Sequence, residues 1–181
     1  LYALSATDGR QKWVQTDVTG GVPAVVGGTV YLPTGESIVA RSATDGSKEW
    51  ESRVGSPHPV AVADGVVYAN HHKLHAIDTT DGSVLWETEL PGAASTPDWF
   101  PTPGDMPSEI GSFNFSAPPV VANGTVYATN GGTITALAAG TGAIQWSYET
   151  SGTGAWTPAI ADGDLYVVVS YASPTDSDNF G

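Results

Sequence analysis

The eleven residues from Ala40 to Trp50, ARSATDGSKEW, decide the fold because the chain repeats them. Related segments are ALSATDGRQKW at 3–13, AIDTTDGSVLW at 76–86 and ALAAGTGAIQW at 136–146. Every copy begins with Ala, has Gly at its seventh place and ends in Trp. The Trp residues are 37, 36 and 60 residues apart, so the last spacing is one period plus an insertion. A fixed period of this length predicts a repeat architecture.

A second repeated segment divides each period into strands. PAVVGGTVYL at 23 recurs as PVAVADGVVYA at 59, PVVANGTVYAT at 119 and PAIADGDLYVV at 158. Together the two segments predict four short antiparallel strands per repeat, joined by Gly-containing turns. The fourth strand alternates Lys48, Trp50 and Ser52 with charged residues, which is typical of an outer edge. We therefore expect an all-β fold, a β-propeller of four-stranded antiparallel blades.

The repeat boundaries give the organisation of a single propeller segment. We expect half a blade at 1–16, complete blades at about 22–53, 58–89 and 117–149, and a second half-blade at 156–171. An insertion covers 91–116, and a tail loop covers 172–181. The insertion contains Trp, Phe and Met, so it is predicted to be an ordered flap and a partner-binding surface, or a loop packed on its own blade.

The eleven-residue segment resembles the tryptophan-docking motif of the pyrroloquinoline quinone (PQQ) repeat, Ala-x-Asp-x-x-Thr-Gly-Lys-x-x-Trp. Only the third copy has the Asp, Asp78, and only the fourth has Thr before Gly, Thr141. The resemblance to the PQQ-repeat propellers, including their BamB-like members, covers the chain apart from the insertion and the tail. It implies a ring of about eight blades. It also implies that the motif tryptophans are structural and fill the seams between blades: Trp13, Trp50, Trp86 and Trp146.

Composition limits the possible partners. Nineteen acidic and six basic residues give a net charge of −13, which disfavours nucleic acid and anionic lipid. This acidic excess is also typical of salt-adapted proteins, so we expect a halophilic archaeal source. The chain has no cysteine, which excludes disulfides and thiolate metal sites. Its longest apolar run is too short to span a bilayer, and it shows no signal segment. An extracellular or cell-envelope location follows from the family resemblance alone.

The candidate binding face is the end of the propeller opposite the docking-motif turns, because the irregular loops gather there. Its candidate residues are His71, His72, Asp98, Trp99, Phe100 and Trp156. The segment HHKLH could suggest a metal, but its first two His are adjacent on a turn and His75 lies in the next strand. DSDNFG, from Asp176, begins like a calcium loop, but it lacks the fifth-place ligand and a closing Glu. We predict no metal site.

Two functions are compatible with the repeats. The first is a non-catalytic, BamB-like scaffold that binds a protein partner, with no cofactor. The alternative is a fragment of a quinoprotein dehydrogenase that oxidises alcohols or sugars with PQQ and calcium. The absence of cysteine removes the vicinal disulfide of methanol-dehydrogenase-like members, and no calcium-ligand set can be matched. The scaffold is therefore favoured, with no catalytic residue assigned.

The two predicted half-blades are complementary. The first supplies third and fourth strands, and the second supplies first and second strands. Four blades could close on themselves, but the resemblance implies about eight. We therefore expect the sequence to be a piece of a longer chain, and expect two isolated copies to pair tail to head into an eight-bladed ring with two composite blades.

Overall fold

The computed structural model describes residues 1–16, 18, 20–55, 60–70, 73–92, 117–152 and 154–170. These residues form eighteen strands and no helix. Three four-stranded antiparallel sheets dominate the structure, and in each sheet the strands lie side by side in chain order. The predicted all-β propeller architecture is confirmed.

The three complete sheets are named blades 1 to 3. Blade 1 contains β3 (Ala24–Val26), β4 (Thr29–Thr34), β5 (Ser37–Ser42) and β6 (Lys48–Arg53). Blade 2 contains β7 (Val60–Ala63), β8 (Val66–Asn70), β9 (Lys73–Asp78) and β10 (Val84–Glu89). Blade 3 contains β11 (Val120–Ala122), β12 (Thr125–Asn130), β13 (Thr133–Ala138) and β14 (Ile144–Glu149).

Two-stranded sheets flank the three blades. The N-terminal half-blade pairs β1 (Tyr2–Leu4) with β2 (Gln11–Val14), and the C-terminal half-blade pairs β16 (Ala159–Ala161) with β17 (Asp164–Tyr166). A further short pair joins β15 (Gly154–Ala155) to β18 (Val169–Ser170). Among the described residues, the two half-blades are separate sheets that share no strand pairing.

The register of the strands is the same in each blade. The motif Ala of the third strand lies opposite a Tyr of the second strand and opposite the motif Trp of the fourth, as in Tyr31, Ala40 and Trp50. Each pairing of third and fourth strands also contains an irregularity beside this Ala. The small Ala and the large aromatic residues therefore recur at one level of every blade, which is why the motif is periodic in sequence.

Apolar clusters between successive blades form the core. The first cluster joins Tyr31, Ile38, Ala40 and Trp50 of blade 1 to Val60, Val67, Ala69 and Ile77 of blade 2. The second joins Tyr68, Leu74, Ala76 and Leu90 to Val126, Ala128 and Leu137 of blade 3. Because alternate residues of a strand face opposite sides, each blade contributes one apolar face to each of its two seams.

The motif turns are held by side chains as well as by backbone. In the first three copies the Asp before the Gly accepts a hydrogen bond from the amide two residues later, as Asp45 does from Ser47 at 3.0 Å. In the fourth copy Thr141 does the same for Ala143 at 3.3 Å. The Asp of the first three copies and the Thr of the fourth therefore have the same structural role, that of a side-chain acceptor that closes the turn.

Candidate functional site

Three of the four motif tryptophans lie against the turn of the following blade. Each indole Nε1–H donates a hydrogen bond to a backbone carbonyl in that turn. The pairs are Trp13 to Ala43 at 3.0 Å, Trp50 to Thr79 at 2.9 Å and Trp86 to Ala139 at 2.9 Å. The accepting residue always lies three residues after the motif Ala. The seam thus combines apolar contact with one directional bond.

A glycine lies directly beneath each of these indole rings. A Cβ built on Gly46, Gly82 or Gly142 would lie 2.8, 2.6 or 2.5 Å from ring atom Cε3 of the docked Trp. Their φ angles are +77°, +76° and +71°, a region that L side chains rarely adopt. Glycine is required here for two reasons, backbone conformation and the close approach of the ring.

The fourth tryptophan and the first turn are different. Trp146 is 43% exposed, and its ring contacts Tyr127 of its own blade, with the ring centroids 6.0 Å apart. Gly9 has a φ of +72°, but apart from its chain neighbours no atom of the described residues lies within 4 Å of the position that its Cβ would take. Its turn nevertheless has the same backbone bonds as the others, from Gly9 N to Ser5 O and from Ser5 N to Arg10 O, both 2.8 Å. Among the described residues, no turn packs on the Trp146 ring and no Trp ring packs on the Gly9 turn.

An apolar groove of about 560 Å³ lies between blade 3 and the C-terminal half-blade. Its lining includes Ile134, Trp146, Tyr148, Leu165, Val167 and Val169. The corresponding spaces between blades 1 and 2 and between blades 2 and 3 are filled by Ile77 and Leu137, which are fully buried. The groove thus lies at the position where an aliphatic side chain fills each interior seam.

A polar groove of about 470 Å³ lies beside blade 1. It gathers three of the six basic residues, Arg41, Lys48 and Arg53, together with Glu36 and Glu51. Lys48 Nζ lies 3.1 Å from Glu51 Oε2, and the buried Arg41 donates a hydrogen bond from Nη1 to the Gly46 carbonyl at 3.0 Å. The cations are mixed with carboxylates, so the groove has no strong net charge. Sequence reasoning missed it because these residues are spread over two strands.

Of the six residues predicted for the candidate binding face, the structure describes one, Trp156. His71, His72, Asp98, Trp99 and Phe100 lie outside the described residues. Trp156 directly follows β15, is 49% exposed, and donates its backbone N–H to the Val168 carbonyl at 3.0 Å. The structure therefore gives the position of Trp156 and leaves the grouping of these six residues a prediction.

His75 lies in β9, buried beside charged neighbours. Its Nε2 is 3.6 Å from Glu87 Oε2, while Lys73 Nζ is 2.8 Å from Glu87 Oε1. Burial lowers the pKa of His75, although the Glu87 carboxylate opposes the shift, so the imidazole is neutral at pH 7. Within the described ranges, no three His, Asp or Glu side chains are placed to share a metal ion. His75 is therefore explained by strand packing and one carboxylate.

Comparison with known families identifies one match over most of the chain. The model described as "Outer membrane protein assembly factor BamB" matches residues 1–60 and 54–173. A comparison with curated protein sequences found no match. In the part of the chain that the structure describes, no helix has the length and hydropathy needed to cross a membrane.

Solved structures with the same fold come from several classes of protein. BamB from Moraxella catarrhalis is 18% identical with a TM-score of 0.63, over 89% of this chain and 47% of that one. The quinohemoprotein alcohol dehydrogenase ADHIIG from Pseudomonas putida HK5 is 24% identical with a TM-score of 0.54, over 77% of this chain and 22% of that one. The computationally designed Ika4 protein is 11% identical with a TM-score of 0.63, over 90% of this chain and 99% of that one.

The chain thus spans about half the length of the Moraxella protein and a smaller part of the dehydrogenase. At these identities the likeness shows the propeller fold alone.

Proposed function

The chain belongs to the PQQ-repeat family described as outer membrane protein assembly factor BamB, and from this premise we propose that it acts as a non-catalytic, protein-binding propeller scaffold. The observation that carries the proposal is the family match, which extends over nearly all of the repeats. The motif residues that the structure describes pack against backbone turns and neighbouring rings. The repeats are thus used for packing, and binding is assigned to the loops that they position.

We assign the partner-binding role to the loop face that contains Trp156, with the predicted residues His71, His72, Asp98, Trp99 and Phe100. An exposed Trp is a common anchor in protein interfaces, because its large ring gains apolar contact and its N–H can still find an acceptor. The proposed location is extracellular or at the cell envelope, and it rests on the family description. Fractionation of the source cells tests it, and recovery of the protein in the cytoplasmic fraction would contradict it.

The alternative is a PQQ- and calcium-dependent dehydrogenase that oxidises alcohols or sugars. It is supported by the fold likeness to the Pseudomonas putida alcohol dehydrogenase. Among the described residues no carboxylate cluster is suited to calcium, and the sequence lacks the cysteines of a vicinal disulfide. The scaffold is the first proposal because the matching family model is described as an assembly factor.

One titration separates the two functions. The purified chain is titrated with PQQ in the presence of calcium while its Trp fluorescence is followed, and dye-linked oxidation of alcohols and sugars is then assayed. The scaffold proposal predicts neither saturable binding nor turnover. Saturable PQQ binding with turnover would establish the dehydrogenase instead.

A cross-linking experiment tests the binding face directly. The chain is incubated with an envelope extract of its source organism and cross-linked, and the captured proteins are identified by mass spectrometry. One defined partner should be lost with Trp156→Ala and retained with Leu85→Ala, which removes a similarly exposed side chain from outer strand β10. Equal capture by both variants would contradict the assignment of the face.

Two further parts of the proposal concern environment and assembly. The net charge of −13 supports a salt-rich source such as a halophilic archaeon, and a rise of the unfolding midpoint with salt tests this. For the isolated chain we also propose a homodimer, because the chain spans about half of a full-length neighbour and two copies would supply enough blades for one ring.

A further inference from the structure

Blade 3 contains two Asn-Gly pairs, one at each end of its second strand, β12. Asn123 and Gly124 form the turn between β11 and β12, and Asn130 and Gly131 lie where β12 ends. The side-chain amide of an Asn is most open to attack by the next backbone nitrogen when Gly follows, because Gly has no side chain to block the approach. The two pairs share this chemistry and differ in their surroundings, so the structure decides which of them reacts.

Asn123 lies in a tight turn, with its side chain in solvent. Ala122 and Thr125 pair across the turn, which leaves only Asn123 and Gly124 within it. Their φ angles are +50° and +73°, as in the two-residue hairpin turns that Asn-Gly favours. Both residues are exposed, and among the described residues the Asn123 side chain makes no hydrogen bond. The amide of Asn123 is therefore accessible to water and is not held by a partner.

Asn130 has two contacts that Asn123 lacks. Its Nδ2 donates a hydrogen bond to the Leu90 carbonyl at 3.2 Å, which holds the side chain against the end of blade 2. Its backbone belongs to β12 and pairs with Thr133 of β13. For the Gly131 nitrogen to reach the side-chain carbon of Asn130, both the side-chain bond and the strand end must open. Each opening lowers the population of reactive conformations.

The equivalent turn of blade 2 contains an Asp where blade 3 has Asn123. Asp64 and Gly65 have φ angles of +50° and +78°, nearly the same as those of Asn123 and Gly124. The Gly65 carbonyl accepts a hydrogen bond from the Thr79 amide at 3.0 Å, so this turn also supports the motif turn of its blade. An aspartate is therefore compatible with the turn and with the contact that the turn makes.

The Asn123 turn supports the docking of Trp86. The Gly124 carbonyl accepts a hydrogen bond from the Ala139 amide at 2.9 Å. The Ala139 carbonyl in turn accepts the indole bond of Trp86 at 2.9 Å. A change of backbone length at Asn123 would thus move the carbonyl that holds the turn on which Trp86 docks.

From these observations we propose that Asn123 is a site of spontaneous deamidation, at which blade 3 reacts with water as the protein ages. The Gly124 backbone nitrogen gives up its proton and attacks Cγ of Asn123. The new C–N bond closes a succinimide ring, while the Cγ–Nδ2 bond breaks and Nδ2 takes up a proton and leaves as ammonia. The attack takes place during brief local openings of the hairpin. It needs only water, so it goes beyond the scaffold function and does not depend on it.

Water then opens the ring at either of its two carbonyls. Cleavage at Cγ gives aspartate, whereas cleavage at the backbone carbonyl gives isoaspartate, whose main chain runs through Cβ and is longer by that atom. Either product adds one negative charge to a chain of net charge −13. Aspartate keeps the turn, as Asp64 does in blade 2. Isoaspartate displaces the Gly124 carbonyl, because the length of a hairpin turn fixes its register.

Peptide mapping of the aged chain tests the site. The purified protein is kept in mildly alkaline buffer, where the backbone nitrogen loses its proton more readily, and samples are digested with chymotrypsin at mildly acidic pH. Cleavage after Phe, Tyr and Leu separates the two sites, because residues 116–127 contain Asn123 and residues 128–137 contain Asn130, with no other Asn or Gln. Mass spectrometry should show deamidation at Asn123 at least about tenfold faster than at Asn130.

The same chain in concentrated urea is the matched control. Unfolding removes the turn and the strand end alike, so the two Asn-Gly pairs should then react at similar rates. Equal rates at Asn123 and Asn130 in the folded chain would overturn the proposal. An Asn123 that stays intact in the folded chain after its complete conversion in urea would also overturn it.

A second test separates the two products. Asn123→Asp should unfold at the same temperature as the parent chain, because blade 2 already contains this turn sequence. The deamidated fraction of the aged parent, isolated by anion exchange, should unfold at a lower temperature and exchange the Ala139 amide hydrogen several-fold faster. Treatment with protein-isoaspartate methyltransferase and its methyl donor, which converts isoaspartate to aspartate, should return both values to those of Asn123→Asp. An aged fraction that matches Asn123→Asp before this treatment would contradict the effect assigned to isoaspartate.

Discussion

Trp50 and Trp146 occupy the same place in two copies of one motif, yet their surroundings differ. Trp50 is 8% exposed and lies over the Gly82 turn of blade 2, whereas Trp146 is 43% exposed. Both rings contact the Tyr of their own blade at nearly equal distances, 5.8 and 6.0 Å. The difference therefore lies in the contact with the following blade. A motif Trp is buried where the turn of that blade packs against its ring.

Truncating the two tryptophans should give the largest contrast. Trp50→Ala should lower the free energy of unfolding by about 3 to 5 kcal/mol, because it opens a cavity and leaves the Thr79 carbonyl without its donor. Trp146→Ala should cost about 1 kcal/mol, because its ring is 43% exposed. Urea unfolding measures both, with Lys48→Ala as a surface control near zero. Equal losses from the two Trp variants would show that docking adds nothing to the motif.

Adding a methyl group beneath the ring should give the next largest effect. Gly82→Ala should cost about 2 to 4 kcal/mol, since it combines a strained φ with a Cβ that displaces the Trp50 ring. Gly9→Ala imposes nearly the same φ on a turn where no described ring lies close, so it should cost about 1 to 2 kcal/mol. Urea unfolding of both variants isolates the contribution of the ring. If Gly9→Ala costs as much as Gly82→Ala, strain alone explains the glycine.

Salt should produce the smallest effect. Raising sodium chloride from dilute to about 1 M should raise the unfolding midpoint by a few degrees, because screening reduces repulsion within a chain of net charge −13. Calorimetry across a salt series measures the midpoint. A midpoint that is flat or falls with salt would count against a salt-adapted protein.

The sequence was sufficient to predict the propeller because each repeat encodes its blade locally. The turn of Asp45 and Gly46, the small Ala40 and the large Trp50 recur at a fixed spacing, and the structure gives each recurrence the same register. The local sequence pattern does not show which blade faces pack together, because Trp146 ends the same motif as Trp50. Whether a motif Trp is buried depends on the turn of another blade, as the bonds of Trp13, Trp50 and Trp86 show.

The candidate site was less accessible to sequence reasoning for a related reason. The segment that contains Trp99 has no counterpart in the other repeats. His71 and His72 lie between β8 and β9, where blades 1 and 3 have Gly35-Glu36 and Gly131-Gly132, so the repeats give no pattern for their side chains. Aligning the repeats places Leu4 with Ile77 and Leu137, and the structure shows that Leu4 is exposed whereas the other two are buried. Comparing aligned repeats with the structure thus identifies equivalent residues that differ in exposure, but it does not identify a ligand.

Arg41 affects the order in which the blades can dock during folding. It occupies the position that Ile77 and Leu137 hold in the other blades, and it lies buried beside a groove of mixed charge. Blades of the same architecture can dock in the wrong order, which is a characteristic failure of repeat proteins. If blade 1 docked in place of blade 2 or blade 3, the guanidinium would enter a cluster of aliphatic and aromatic side chains at a cost of several kcal/mol. One cation in a row of aliphatic residues thus marks blade 1 as the blade that follows the N-terminal half-blade, and disfavours misassembled rings.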